Sequence, residues 1–143
     1  MSAPTVSTKI ATGSRRKARL FTVGAAVVAA VIIWSVAELA GMHLRQPTPG
    51  SGTAPVLNIG FVIGVSAVAP LAGWALLAAL EHFMERARTT WTIVASVFLL
   101  LSLSGPLTGH GVTTGNRLVL VLIHLVVGAI VITGLPRVGN SSR

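Results

Sequence analysis

Leu20 to Leu39, LFTVGAAVVAAVIIWSVAEL, carries no charged side chain until Glu38. A bilayer core about 30 Å thick is crossed by about 20 predominantly apolar residues in a helix that rises roughly 1.5 Å per residue. This stretch is therefore a span. Three more runs answer the same description: 56–80, the longest, then 91–107 and 118–135, each of the last two bounded by Gly, Pro or Arg. None alternates with the period of two that a barrel strand needs, and lipid offers no partner to a free backbone N–H or C=O, so all four are read as helices. The expected fold class is all-α, an integral membrane antiparallel four-helix bundle.

Composition agrees. The 143 residues are 52% hydrophobic and 10% charged, with a mean hydropathy of +0.81, which excludes an ordinary soluble domain. The chain has no cysteine, so a disulfide framework, a thiolate metal site and a quinone-coupled dithiol relay are all excluded. Eleven Lys and Arg against three acids give a net charge of +8, and in a membrane chain that excess is first a topological signal. Lys9, Arg15, Arg16, Lys17 and Arg19 precede span 1, Arg86 and Arg88 lie between spans 2 and 3, and Arg137 and Arg143 follow span 4. Only Arg45 and Arg117 fall on the opposite face. Basic residues near span ends are retained in the cytoplasm, so both termini are expected there, in a bacterial plasma membrane. Attraction to anionic lipid adds about 1 kcal/mol per basic residue near the surface; nucleic acid is not an expected partner.

Two export signals compete with this topology. Arg15-Arg16 after Ser14 has the look of a twin-arginine signal, but Ala18 and Arg19 stand where apolar residues belong. Ser35-Val36-Ala37 offers a signal-peptidase site, yet the apolar run is long for a cleavable leader.

Residues 1–14, rich in Ser, Thr, Ala and Gly, are expected to form a disordered cytoplasmic tail, 15–137 the transmembrane domain and 138–143 a second short tail. Gly41–Pro55, with Pro47, Pro49, Pro55 and three glycines, resists helix and reads as a mobile external flap. The second external loop is 108–116. The short charged segment 81–90 makes spans 2 and 3 antiparallel neighbours, and Trp91 is expected as an interfacial anchor. No internal repeat is visible.

Span 2 carries small residues on two sides, Gly60, Gly64, Ala67 and Ala78 on one, Asn58, Ser66, Pro70 and Gly73 on the other. Because lipid tails are as apolar as leucine, close packing at small residues must drive helix association. Span 2 is therefore expected at the centre of the bundle, with Gly60 and Gly64 packing within the chain in preference to a homodimer, and Pro70 bending the helix. Glu38 is the only acid inside a span, and a buried charge is costly there; lying one residue from the external end, it is expected to reach the interface or pair with Arg45 or Arg117, with proton or cation coupling as the sharper alternative. His124 falls roughly 10 Å inside the external end of span 4, on one face with Arg117 and Gly128, and is expected to bond Ser102 or Ser104, with proton relay or ligand contact as the alternative. Glu38, Asn58, Ser102, Ser104, Arg117 and His124 all belong to the external half, which suggests a small polar pocket opening outward.

No metal site is expected: His43, His110 and His124 share a side, but no pair has i, i+3 or i+4 spacing. Ser104-Gly105 beside His124 resembles an intramembrane serine protease motif only superficially, with Ser102 where that motif has glycine. No paired carboxylate or HxxxH spacing points to an enzyme acting on lipid, and no cofactor is expected.

Ala72-Gly73-Trp74-Ala75-Leu76-Leu77 running to Leu80-Glu81, Ser102-Leu103-Ser104-Gly105-Pro106-Leu107 and His124-Leu125 together resemble a family of uncharacterised four-helix membrane proteins of actinobacteria, over roughly residues 16–137. The resemblance implies a four-span fold and a plasma-membrane location, and no activity. Small multidrug exporters also have four helices and an acid on the first, but theirs lies near mid-membrane. The expected function is thus a non-enzymatic structural or partner-binding membrane subunit, a homodimer or the companion of another membrane protein; the alternative is a small-solute or proton-linked transporter.

Overall fold

The computed structural model describes residues 5–50 and 53–137, with side chains from Gly13 onward. The chain is all-helical, in the order α1 Thr5–Leu39, α2 Ile59–Phe83, α3 Ala87–Ser102, α4 Ser104–Thr108 and α5 Thr114–Arg137. Four helical stretches are long and apolar enough to cross a membrane: Gly13–Leu39, Ile59–Phe83, Ala87–Thr108, which joins α3 to α4, and Thr114–Arg137. Each contains one of the four runs picked from sequence almost whole; the difference is at the ends. Polar residues with good helix propensity, among them Arg88, Arg15, Arg16 and Lys17, extend helices past the apolar boundary, because a hydrogen-bonded turn propagates more easily than it starts.

The N-terminal tail is the largest such extension. The helix begins at Thr5, so residues 5–14, expected to be disordered, continue α1; residues 1–4 and the tail 138–143 lie outside the described residues.

α1 ends by a chain reversal that its sequence encodes. Gly41 takes φ +78°, and the Gly41 N–H donates to the Glu38 carbonyl at 2.9 Å while the Met42 N–H donates to that of Ala37 at 3.0 Å. This is the paired-bond C-terminal motif in which a left-handed residue closes a helix, a backbone state that glycine enters without steric penalty.

The packing centre is α5, in place of the α2 expected. α5 touches α1, α2, α3 and α4, whereas α1 and α3 do not touch. Glycines let neighbours approach it: a methyl group at Gly128 would stand 2.6 Å from Leu99 Cδ1 of α3, and one at Gly134 would stand 2.9 Å from Thr22 Oγ1 of α1. Two clusters fill the interior. One gathers Ala30 and Ala37 of α1 with Leu44, Leu57, Val62 and Leu120; the other joins Leu77 of α2, Trp91 of α3 and Leu135 of α5. Trp91 is thus a core residue, 3% exposed, and not the interfacial anchor expected, because Gly73 opposite it leaves a slot for the indole: a methyl group there would lie 2.9 Å from the ring.

Candidate functional site

The six polar residues expected to line one pocket separate into two groups, and backbone chemistry decides the division. A loop or helix end near lipid must satisfy its own N–H and C=O groups, and most of the six serve that need.

Glu38 sits at the end of α1, where its Oε1 accepts from the Leu44 N–H at 3.1 Å and its Oε2 from His43 Nδ1 at 3.0 Å. It pairs with neither Arg45 nor Arg117. Those residues were close enough in sequence logic, but the reversal at Gly41 brings residues 43 and 44 back over the helix end first. Asn58 is the N-cap of α2, its side-chain oxygen accepting from the Phe61 N–H at 2.9 Å, which is what an asparagine ahead of a helix does best. Arg117 turns its guanidinium onto the end of α4, donating to the carbonyls of Leu107 and Gly109, the latter at 2.8 Å. Those carbonyls are ones a terminating helix leaves without partners.

Ser102 and Ser104 also turn back locally. Ser102 Oγ donates to the Leu99 carbonyl at 2.7 Å and Ser104 Oγ to that of Leu101 at 2.6 Å; neither bonds His124. His124 Nδ1 instead donates to the Leu120 carbonyl, one turn back on its own helix, at 2.7 Å. A serine or histidine in an apolar helix finds a carbonyl three or four residues earlier at no cost in reach.

Four residues absent from the expected pocket, Arg45, Thr48, His110 and Asn116, organise this end of the molecule. Asn116, 6% exposed, accepts from the Arg45 N–H at 2.7 Å and donates to the Arg45 carbonyl at 3.0 Å, the full pairing of a side-chain amide with one peptide unit. Arg45 Nη1 in turn donates to the Ala54 carbonyl at 2.9 Å. Thr48 and His110 exchange two backbone bonds, at 3.1 and 3.3 Å, and join the two loops. The 41–55 segment is therefore pinned at its middle and both sides, where a mobile flap was expected. Proline and glycine content showed that it would not be helical; the pairing across 71 residues left no periodic signal. Asn116 was legible only as a polar residue near a helix start.

What remains of the pocket lies beneath these loops. A cavity of about 250 Å³ is lined by Pro47, Phe61, Ser66, Ser102, Ile123 and His124 among others. Of the six polar residues it retains Ser102 and His124.

The packing residues of α2 divide as sharply. Ser66 and Pro70 are buried with Val62 and Leu77, and Gly73 faces Trp91, Val131 and Leu135. Pro70 has no N–H, so the Ser66 carbonyl one turn earlier loses its intrahelical donor. Gly64 has nothing within 4 Å of where a side chain would start, and Gly60 only its own cap residue, Asn58. These two do not pack within the chain. Both sides of α2 look alike to a pattern of small residues; only one has a neighbour.

At the opposite end of α2, Arg19 donates to Glu81 Oε1 at 2.6 Å. The arginine is 8% exposed, and its Nε is buried without a hydrogen-bond partner. The sequence marked Arg19 only as part of the basic approach to span 1. Among the described residues no group of three or more His, Cys, Asp or Glu is placed to hold a metal ion.

No curated protein and no solved structure matches the chain. Its sequence does match a family model over residues 10–141, from within the N-terminal segment to beyond the last helix. The chain, with its four membrane-length helices, belongs to DUF6069, a family of unknown function.

Proposed function

We propose that this protein is a non-enzymatic membrane subunit that binds a partner within the bilayer, folded as an antiparallel four-helix bundle with both termini in the cytoplasm. The observation that carries the reading is the open face of α2: Gly60 and Gly64 meet no other helix, while Phe61, Val65 and Val68 beside them are exposed. A small-x-x-x-small pair lets a second helix backbone approach closely, which is how association gains energy where no hydrophobic driving force exists. The fate of the polar residues supports the same reading. Glu38, Asn58 and Arg117 are engaged in closing helix ends, which suits a scaffold with an ordered outer surface.

The orientation rests on the basic residues of the sequence. Arg19, Arg86, Arg88 and Arg137 gather at one end and Arg45 and Arg117 at the other, which puts the paired loops outside a bacterial plasma membrane. The richness in Ala, Val and Gly agrees with an actinobacterial source.

The test is the mass of the gently solubilised complex released directly from its own membrane with lipids retained. The partner reading predicts a reproducible mass above the monomer, a homodimer or a heteromer, that falls to the monomer in Gly64→Ile. A monomer carrying only lipid overturns it. The transporter alternative predicts instead a pH-dependent flux in reconstituted vesicles that Glu38→Gln abolishes.

A further inference from the structure

The cavity under the loops has a chemical character that the partner reading does not use. Its walls are mainly apolar, from Phe61, Val62 and Val65 of α2 and Leu120 and Ile123 of α5, and none of its lining residues is charged. An ionised ligand would find no countercharge there, and desolvating it would cost several kcal/mol. The occupant must be neutral.

The polar atoms of the lining set its hydrogen-bonding sense. The Leu120 carbonyl can only accept, so His124 Nδ1 carries the proton toward it, and in the neutral imidazole the other ring nitrogen, Nε2, is then an acceptor. Ser102 spends its hydroxyl proton on the Leu99 carbonyl, which leaves its oxygen lone pairs. Two lining side chains thus offer acceptors, while Ser66 and Gln46, also in the lining, can donate. A neutral molecule with a hydroxyl meets both needs, donating its O–H and accepting at its oxygen; a ketone, an ester or a quinone only accepts and leaves His124 Nε2 without a donor.

Size narrows the class further. About 250 Å³ is below the usual range of about 300–1,000 Å³ for drug-sized ligands, enough for one ring or a short chain end but not a complete lipid. We propose that this cavity binds the hydroxyl end of a neutral, membrane-soluble alcohol or phenol, with the O–H donated to His124 Nε2 and the carbon body against Phe61, Val65 and Ile123. The cavity shares Phe61 and Val65 with the Gly60 and Gly64 face, but Ser102 and His124, which set the chemistry of the occupant, belong to α3 and α5, so a preference for the hydroxyl is read separately from any change of mass at Gly64.

The experiment uses the full chain in phosphatidylcholine and phosphatidylglycerol nanodiscs, photolabelled with a diazirine-bearing decanol and, in parallel, with its methyl ether. The alcohol is expected to label the segments 57–66 and 118–125 about fivefold more than the ether, the advantage of one net hydrogen bond, and to be displaced by unlabelled decanol. His124→Phe should bring alcohol and ether to parity, and His124→Gln, which keeps an acceptor, should retain part of the preference. Val65→Trp fills the cavity from an exposed position on its wall and keeps the His124 side chain, and should abolish the displaceable labelling even if His124→Phe does not fold. Equal labelling by alcohol and ether in the unaltered protein, a preference that survives His124→Phe, or displaceable labelling that survives Val65→Trp would overturn the proposal.

Discussion

The two sides of α2 both mix small residues with apolar ones and have opposite fates. One side, Val62, Ser66, Pro70, Gly73 and Leu77, is covered by α1, α3 and α5; the other, with Gly60, Gly64 and exposed Val68, has no helix against its glycines among the described residues. Hydrophobicity does not distinguish them. In water the buried side of a helix is the apolar one, but in a bilayer both sides are apolar and the distinction passes to shape. Gly73 is buried because Trp91 needs the room; Gly64 is the same residue with no such neighbour.

Substitutions that add or remove volume on each side should therefore have unequal effects. The largest is expected for Gly73→Val, whose Cβ alone would stand 2.9 Å from the Trp91 ring and within 3.7 Å of Val131 and Leu135; overpacking of this kind costs typically about 1–3 kcal/mol, and the upper end applies. Unfolding in mixed micelles, followed by the fluorescence of the tryptophans, measures it. Leu77→Ala, at a fully buried position in the same cluster, removes volume and should lose about 2–3 kcal/mol in that assay, the lower part of the range for large-to-small core changes. Gly41→Ala tests a different limit of the comparison, where backbone conformation and not volume demands glycine: the left-handed state at φ +78° should cost about 1 kcal/mol. Smallest of all, Gly64→Ala should leave monomer unfolding unchanged within about 0.5 kcal/mol. A large loss at Gly64 would erase the contrast between the two sides.

The spans were legible because a bilayer imposes a length on any run of apolar residues, and 20–39, 56–80, 91–107 and 118–135 all fall in helices or within a few residues of one. Which residues meet was less so. Trp91 stands next to polar Thr90 and Arg88, and nothing local says that it turns inward. Glu38 and Arg117 were visible as anomalies, yet their partners are backbone groups, and every residue in the chain offers those. Asn116 and Arg45 meet only once α1 and α5 are side by side, a distance of 71 residues in the chain. Of the six residues read as one polar pocket, Ser102 and His124 line the cavity, while Glu38, Asn58, Ser104 and Arg117 bond to backbone or neighbouring groups elsewhere.

That pairing also has a timetable. At about 5–20 residues per second of synthesis, Asn116 emerges roughly 4–14 s after Arg45, long after the first two helices have had time to enter the bilayer. Through that interval the Arg45 peptide waits without the amide that will hold it. The first hairpin of the nascent chain thus lacks the pairing that fastens its loop until the last helix arrives.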